Sequence, residues 1–82
     1  GNPDPNKTCT TSFSYIVPAD LGTASVEIRV KDDDGERSLL TATPLPGGQP
    51  WEQNDIPVRG KAYFTVFLDG VSQPVVERDP TC

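Results

Sequence analysis

Nine prolines and seven glycines interrupt a chain of 82 residues. Proline removes a helix donor and clashes with the preceding turn, while glycine favours turns, so no uninterrupted stretch is left for a long helix. The short segments between these breaks alternate. Ala24, Val26, Ile28 and Val30 interleave with Ser25, Glu27, Arg29 and Lys31. A period of two of this kind marks a strand with one buried and one wet face.

The same grammar recurs along the chain. Residues 11–17 place Phe13, Tyr15 and Val17 on one face, before Pro18 stops the strand. Residues 37–43 carry Leu39, Leu40 and Ala42 and end at Pro44, as the return strand of a hairpin. Residues 44–50, Pro-Leu-Pro-Gly-Gly-Gln-Pro, read as a corner between sheets, because three prolines cannot serve a central strand. Residues 51–58 form an edge strand around Pro57. Residues 61–68 put Ala62, Phe64, Val66 and Leu68 on one face, with Tyr63, Thr65 and Phe67 on the other. Asp69-Gly70 is a hairpin signal, since both residues tolerate the positive φ of a type I′ turn. Residues 71–77, broken by Pro74, make the last strand. About six to seven short antiparallel strands predict an all-β, immunoglobulin-like sandwich, with an open barrel as the alternative. Residues 1–8, with Asn-Pro-Asp-Pro-Asn, read as a spacer before a single domain over 9–82.

A chain of this length buries only about 60% of the surface it exposes when unfolded, so covalent help matters. Cys9 and Cys82 bracket the folded portion. A bridge between them closes nearly the whole domain and is worth on the order of 4 kcal/mol in the chain-entropy model. It implies an oxidising, extracytoplasmic setting. Neither cysteine has a histidine or a second cysteine near it in sequence, which leaves zinc binding and thiol catalysis without support. Asn6-Lys7-Thr8 matches the glycosylation sequon.

Twelve acidic residues against seven basic ones give a formal charge of −5. Phosphate recognition depends on clustered Lys and Arg, so a nucleic-acid partner is not expected, nor an anionic membrane surface. No apolar run is long enough to cross a bilayer. With no histidine and no G-x-S-x-G, nucleophilic catalysis has no basis, and Gly47-Gly48 precedes no helix that could cradle a phosphate. The sequence predicts no catalytic residue, no cofactor and a monomer whose edges are guarded by proline.

Asp32-Asp33-Asp34-Gly35 is the one acidic cluster with a candidate chemistry. A calcium loop alternates its acids and supplies a late glutamate, whereas these acids are contiguous and Glu36 follows the glycine at once. Asp32 and Asp34 with a carbonyl would make at most a weak surface calcium site. The simpler expectation is a hydrated hairpin turn in which Asp34-Gly35 takes the positive-φ positions. Trp51 reads as a core plug beneath the proline-rich corner. The competing role is an exposed ring that, with Tyr63, stacks on a sugar.

The order of these elements resembles a known family. Tyr15-Ile16-Val17, Gly22-Thr23-Ala24, Val26 to Val30 running into Asp34-Gly35, Pro44-Leu45-Pro46, and Phe64 to Leu68 ending in Asp69-Gly70 are similar to the extracytoplasmic domain of the mycobacterial MmpS family. They are similar too to small β-sandwich lipoprotein domains of other bacteria. The resemblance implies a β-sandwich outside the cytoplasmic membrane, anchored through its N-terminal side and accessory to a lipid or siderophore exporter. Two features depart from that pattern: the family's cysteines lie within its later strands, and it has a further strand where this chain ends. The resulting expectation is a non-enzymatic secreted or envelope-anchored domain with a protein or envelope partner. A carbohydrate-binding module and a weak calcium-binding domain are the alternatives.

Overall fold

The computed structural model describes residues 8–82. The expected spacer and the Asn6-Lys7-Thr8 sequon lie outside the described residues, apart from Thr8. The described chain runs β1 (Cys9–Ile16), one 3₁₀ turn (Ala19–Leu21), β2 (Thr23–Asp32), β3 (Gly35–Pro46), β4 (Pro50–Val58), β5 (Ala62–Leu68), β6 (Val71–Ser72) and β7 (Val76–Arg78). All pairings are antiparallel. β1 and β4 form one small sheet; β3, β2 and β5 form the other, whose far side is completed by both β6 and β7 against β5.

The two sheets bury a single core. Phe13, Val17, Ile56 and Val58 face Ala24, Val26, Ile28, Val30, Ala62, Phe64, Val66 and Leu68. Across the interface the rings of Phe13 and Phe64 stack with centroids 4.5 Å apart and planes 3° from parallel. A two-stranded sheet is barely stable by itself in water, so β1 and β4 depend on this packing.

Two strands depart from simple alternation. In β4 the register slips opposite Ser12, and Asp55 takes a positive φ of 54°. This bulge switches the inward set from Trp51 and Gln53 to Ile56 and Val58. The return strand β3 is longer than residues 37–43, extending through Pro44 to Pro46, and it carries two register shifts. Prolines are admitted because β3 lies at the sheet edge, where an absent donor breaks no ladder bond. The corner between sheets therefore shrinks to residues 47–49.

The last segment stitches the sheets together. β7 pairs with β5, and Thr81 then crosses to pair with Thr10 of β1 through two backbone bonds, 2.9 and 2.7 Å. The Cys9–Cys82 disulfide lies beside that bridge, with Cα atoms 4.5 Å apart and a sequence separation of 73.

Candidate functional site

The inward phase of β2 does not end with its apolar residues. It passes from Val30 to Asp32, whose side chain is only 1% exposed. The expectation of a hydrated turn aspartate is corrected here. Asp32 is the last core-facing position of the strand, and only Asp33 and Asp34 occupy the loop. Of the turn residues Gly35 alone takes a positive φ, 112°; Asp34 does not.

A buried carboxylate is costly unless its oxygens are paired. Asp32 Oδ1 accepts the Asp34 N–H at 2.9 Å, closing a local Asx turn. Its Oδ2 accepts the Arg59 N–H at 3.0 Å and faces the Arg37 guanidinium at 3.3 Å. Burial by itself pushes the Asp32 carboxyl up, but the two backbone donors and the Arg37 charge outweigh it and hold the group below its ordinary value. Arg37 also donates to the carbonyl of Pro57. Arg59 Nε pairs with Asp34 Oδ2 at 3.1 Å, and the Asp33 N–H donates to the Arg59 carbonyl at 3.0 Å. The aspartate turn is thereby clasped to residues 57–59, which lead from β4 into β5.

An open hollow of about 440 Å³ lies at this end of the molecule, bordered by Asp32, Asp34, Arg37, Pro57 and Arg59. Its acids are already engaged by arginine and backbone donors. Among the described residues no three Asp, Glu, His or Cys side chains converge as a metal site would need. A calcium ion held by Asp32 and Asp34 would have to displace the Arg59 and Asp34 N–H groups from a buried oxygen pair. The arrangement acts as a brace between two connections.

The two aromatic candidates are not brought together. Trp51 is half-buried on the core side of the small sheet, 6.4 Å from the Phe13 ring. Tyr63 belongs to the opposite surface of the large sheet, where its strand neighbours are Lys31 and Glu77. The pairing of Trp51 and Tyr63 on one sugar is therefore not how the fold displays them. Tyr63 is 40% exposed and shares its surface with Thr65, Val75, Lys31 and Glu36, around a largely apolar open hollow of about 330 Å³. Beside it Arg29 bridges Glu36 at 3.0 Å, and Lys61 bridges Glu77 at 2.6 Å.

No sequence motif marks Arg59, because its partner Asp32 lies 27 residues away. The signal that existed was the phase of β2, in which Asp32 continues Ala24, Val26, Ile28 and Val30. No family model matches the chain, and neither a curated protein nor a solved structure matches it.

Proposed function

We propose that this chain is a non-enzymatic, extracytoplasmic binding domain, secreted or held at the cell envelope, that works through a protein partner. The observation carrying the reading is the outer surface of the large sheet. Tyr63, Thr65 and Val75 form an apolar patch there, flanked by Lys31 and Glu36, on a sheet whose other face is fully committed to the core. An aromatic anchor within a polar rim is the usual composition of a protein-binding patch. The disulfide between Cys9 and Cys82 suits an oxidising compartment. An accessory role in envelope assembly or export fits the same description.

A photo-crosslinking residue at position 63 tests this in cells, with the same residue at the exposed Glu52 of the other sheet as control. A discrete envelope-protein adduct formed from position 63 and absent from position 52 supports the reading. Identical adduct patterns from both positions overturn it. An oligosaccharide titration that perturbs Tyr63 but yields no protein adduct would instead favour the carbohydrate reading, now resting on Tyr63 without Trp51.

A further inference from the structure

The four edges of this sandwich are not equally protected. β3 carries Pro44 and Pro46 and two register shifts. β4 carries Pro50, Pro57 and the bulge with positive-φ Asp55. The edge made by β6 and β7 is broken around Pro74. These are the devices by which sheets discourage edge pairing. β1, Cys-Thr-Thr-Ser-Phe-Ser-Tyr-Ile, has none of them: it contains no proline and no charge, and the one irregularity of its pairing, opposite Ser12, places the extra residue in β4.

Its backbone direction can be read from the bonds on either side. Thr10 exchanges both backbone bonds with Thr81, away from β4, while Val17 bonds to Gln49 and Gly48 on the β4 side. Backbone direction alternates along a strand, so the N–H and C=O groups of Ser12, Ser14 and Ile16 point away from β4. Among the described residues no strand pairs with that side of β1 beyond Thr10. Their side chains are solvent-facing, and Ile16 is 66% exposed.

We propose that this edge pairs with the same edge of a second copy of the chain, antiparallel about a two-fold axis at Ser14. Ser14 then exchanges both backbone bonds with Ser14 of the partner copy, and Ser12 pairs with Ile16 at either end. The two small sheets become one sheet of four strands, in the order β4, β1, β1, β4. The chain's shape sets the length of the contact. Thr81 occupies the edge at Thr10, and Pro18 turns the chain away after Val17, so each copy offers the run from Ser12 to Ile16 and no more.

Charge selects this occupant. A chain carrying −5 meets repulsion from its own copy over most of its surface, but β1 has no charge to oppose itself. The charges bordering the edge are of both signs, Arg78 among Glu52, Asp55 and Asp79. The contact is isologous and uses up the unguarded edge in both copies, so it closes at two and does not propagate.

Sedimentation of the oxidised chain from micromolar to millimolar concentration tests the proposal. The expected result is a reversible shift from 8.9 kDa to twice that mass. Ser14→Pro removes the donor at the axis, and Ile16→Lys adds two like charges to the seam. Each is expected to weaken the dimer by about tenfold or more while leaving the thermal transition of the monomer in place. Val75→Lys, on the far sheet, is expected to leave association unchanged. If Ser14→Pro fails to fold, Ile16→Lys decides the matter, because its side chain supports no core contact. A parent chain that stays monomeric at millimolar concentration overturns the proposal. So does association that Val75→Lys abolishes and Ile16→Lys does not.

Discussion

Asp32 Oδ2 accepts the backbone N–H of Arg59 at 3.0 Å across 27 residues of sequence. That bond joins the turn between β2 and β3 to the link between β4 and β5. Since β4 belongs to the small sheet and β5 to the large one, it locks the two sheets together at one end. The disulfide and the Thr10–Thr81 bridge tie the chain's last residues to β1. A small core is thus reinforced by a buried charge and a covalent closure.

Replacing Asp32 with alanine leaves the Arg59 and Asp34 N–H groups without their acceptor and Arg37 without its counter-charge. The expected loss is about 2–4 kcal/mol, most of it from the two backbone donors because Arg37 is partly solvated. Asp32→Asn keeps one acceptor oxygen and is expected to cost less. Urea unfolding of the three proteins under identical conditions measures both. An alanine variant as stable as the parent would show that the brace contributes nothing.

The same residue sets an acid limb. Its carboxyl is held below the ordinary 3.8 in the folded chain, so its stabilisation is complete above that value and is lost as pH falls through the lower folded value. Unfolding free energy measured from about pH 5 to about pH 2 is expected to drop more steeply in the parent than in Asp32→Asn. Parallel curves would remove Asp32 from the acid response.

Gly47 and Gly48 are adjacent but constrained differently. A Cβ at Gly47 would meet the carbonyl oxygens of Ala19, Pro18 and Gly22 at 2.8, 2.9 and 3.0 Å, all of them backbone. A Cβ at Gly48 meets nothing within 4 Å, and its substitution is opposed only by a φ of 85°. Gly48→Ala is expected to cost about 1 kcal/mol, and Gly47→Ala more, because the 3₁₀ turn must move away. Thermal unfolding of the two variants gives the order; the reverse ranking would show that the turn yields freely.

Alkylation of the native chain without reductant is expected to modify neither cysteine, and reduction to expose both. Cys9→Ala with Cys82→Ala is expected to lose on the order of 4 kcal/mol in the chain-entropy picture, a large share of what so small a domain possesses. Guanidinium unfolding of the oxidised and double-alanine proteins checks the magnitude.

Much of the fold was legible. The alternation in β2 and β5 appears in the structure with Ala24, Val26, Ile28, Val30, Ala62, Phe64, Val66 and Leu68 buried as the period of two requires. Asp69-Gly70 makes its hairpin with φ of 50° and 83°. Two cysteines bracketing a short chain indicated the disulfide. The sites were less legible. Asp32 carries the same letter as its hydrated neighbours, and what separates it is a phase that must be extended one step beyond the last apolar residue. The strand phase of Trp51 and Ile56 differs because a bulge intervenes, and nothing local marks Asp55 as the residue that bends.

The sequence by itself determined the all-β class, the inward sets of β2 and β5, the positive-φ turn at Asp69-Gly70 and the cysteine pair. Each follows from a local rule: strand period, turn sterics, or the even count of a reactive residue. Tertiary structure decided that Asp32 is buried, that Arg37 and Arg59 converge on it, that Trp51 and Tyr63 face different surfaces, and that β1 keeps an open edge. Those outcomes depend on which strands become neighbours. Partners far apart in sequence meet only once both sheets have closed on one core, and only then are a carboxylate's donors and an edge's vacancy defined.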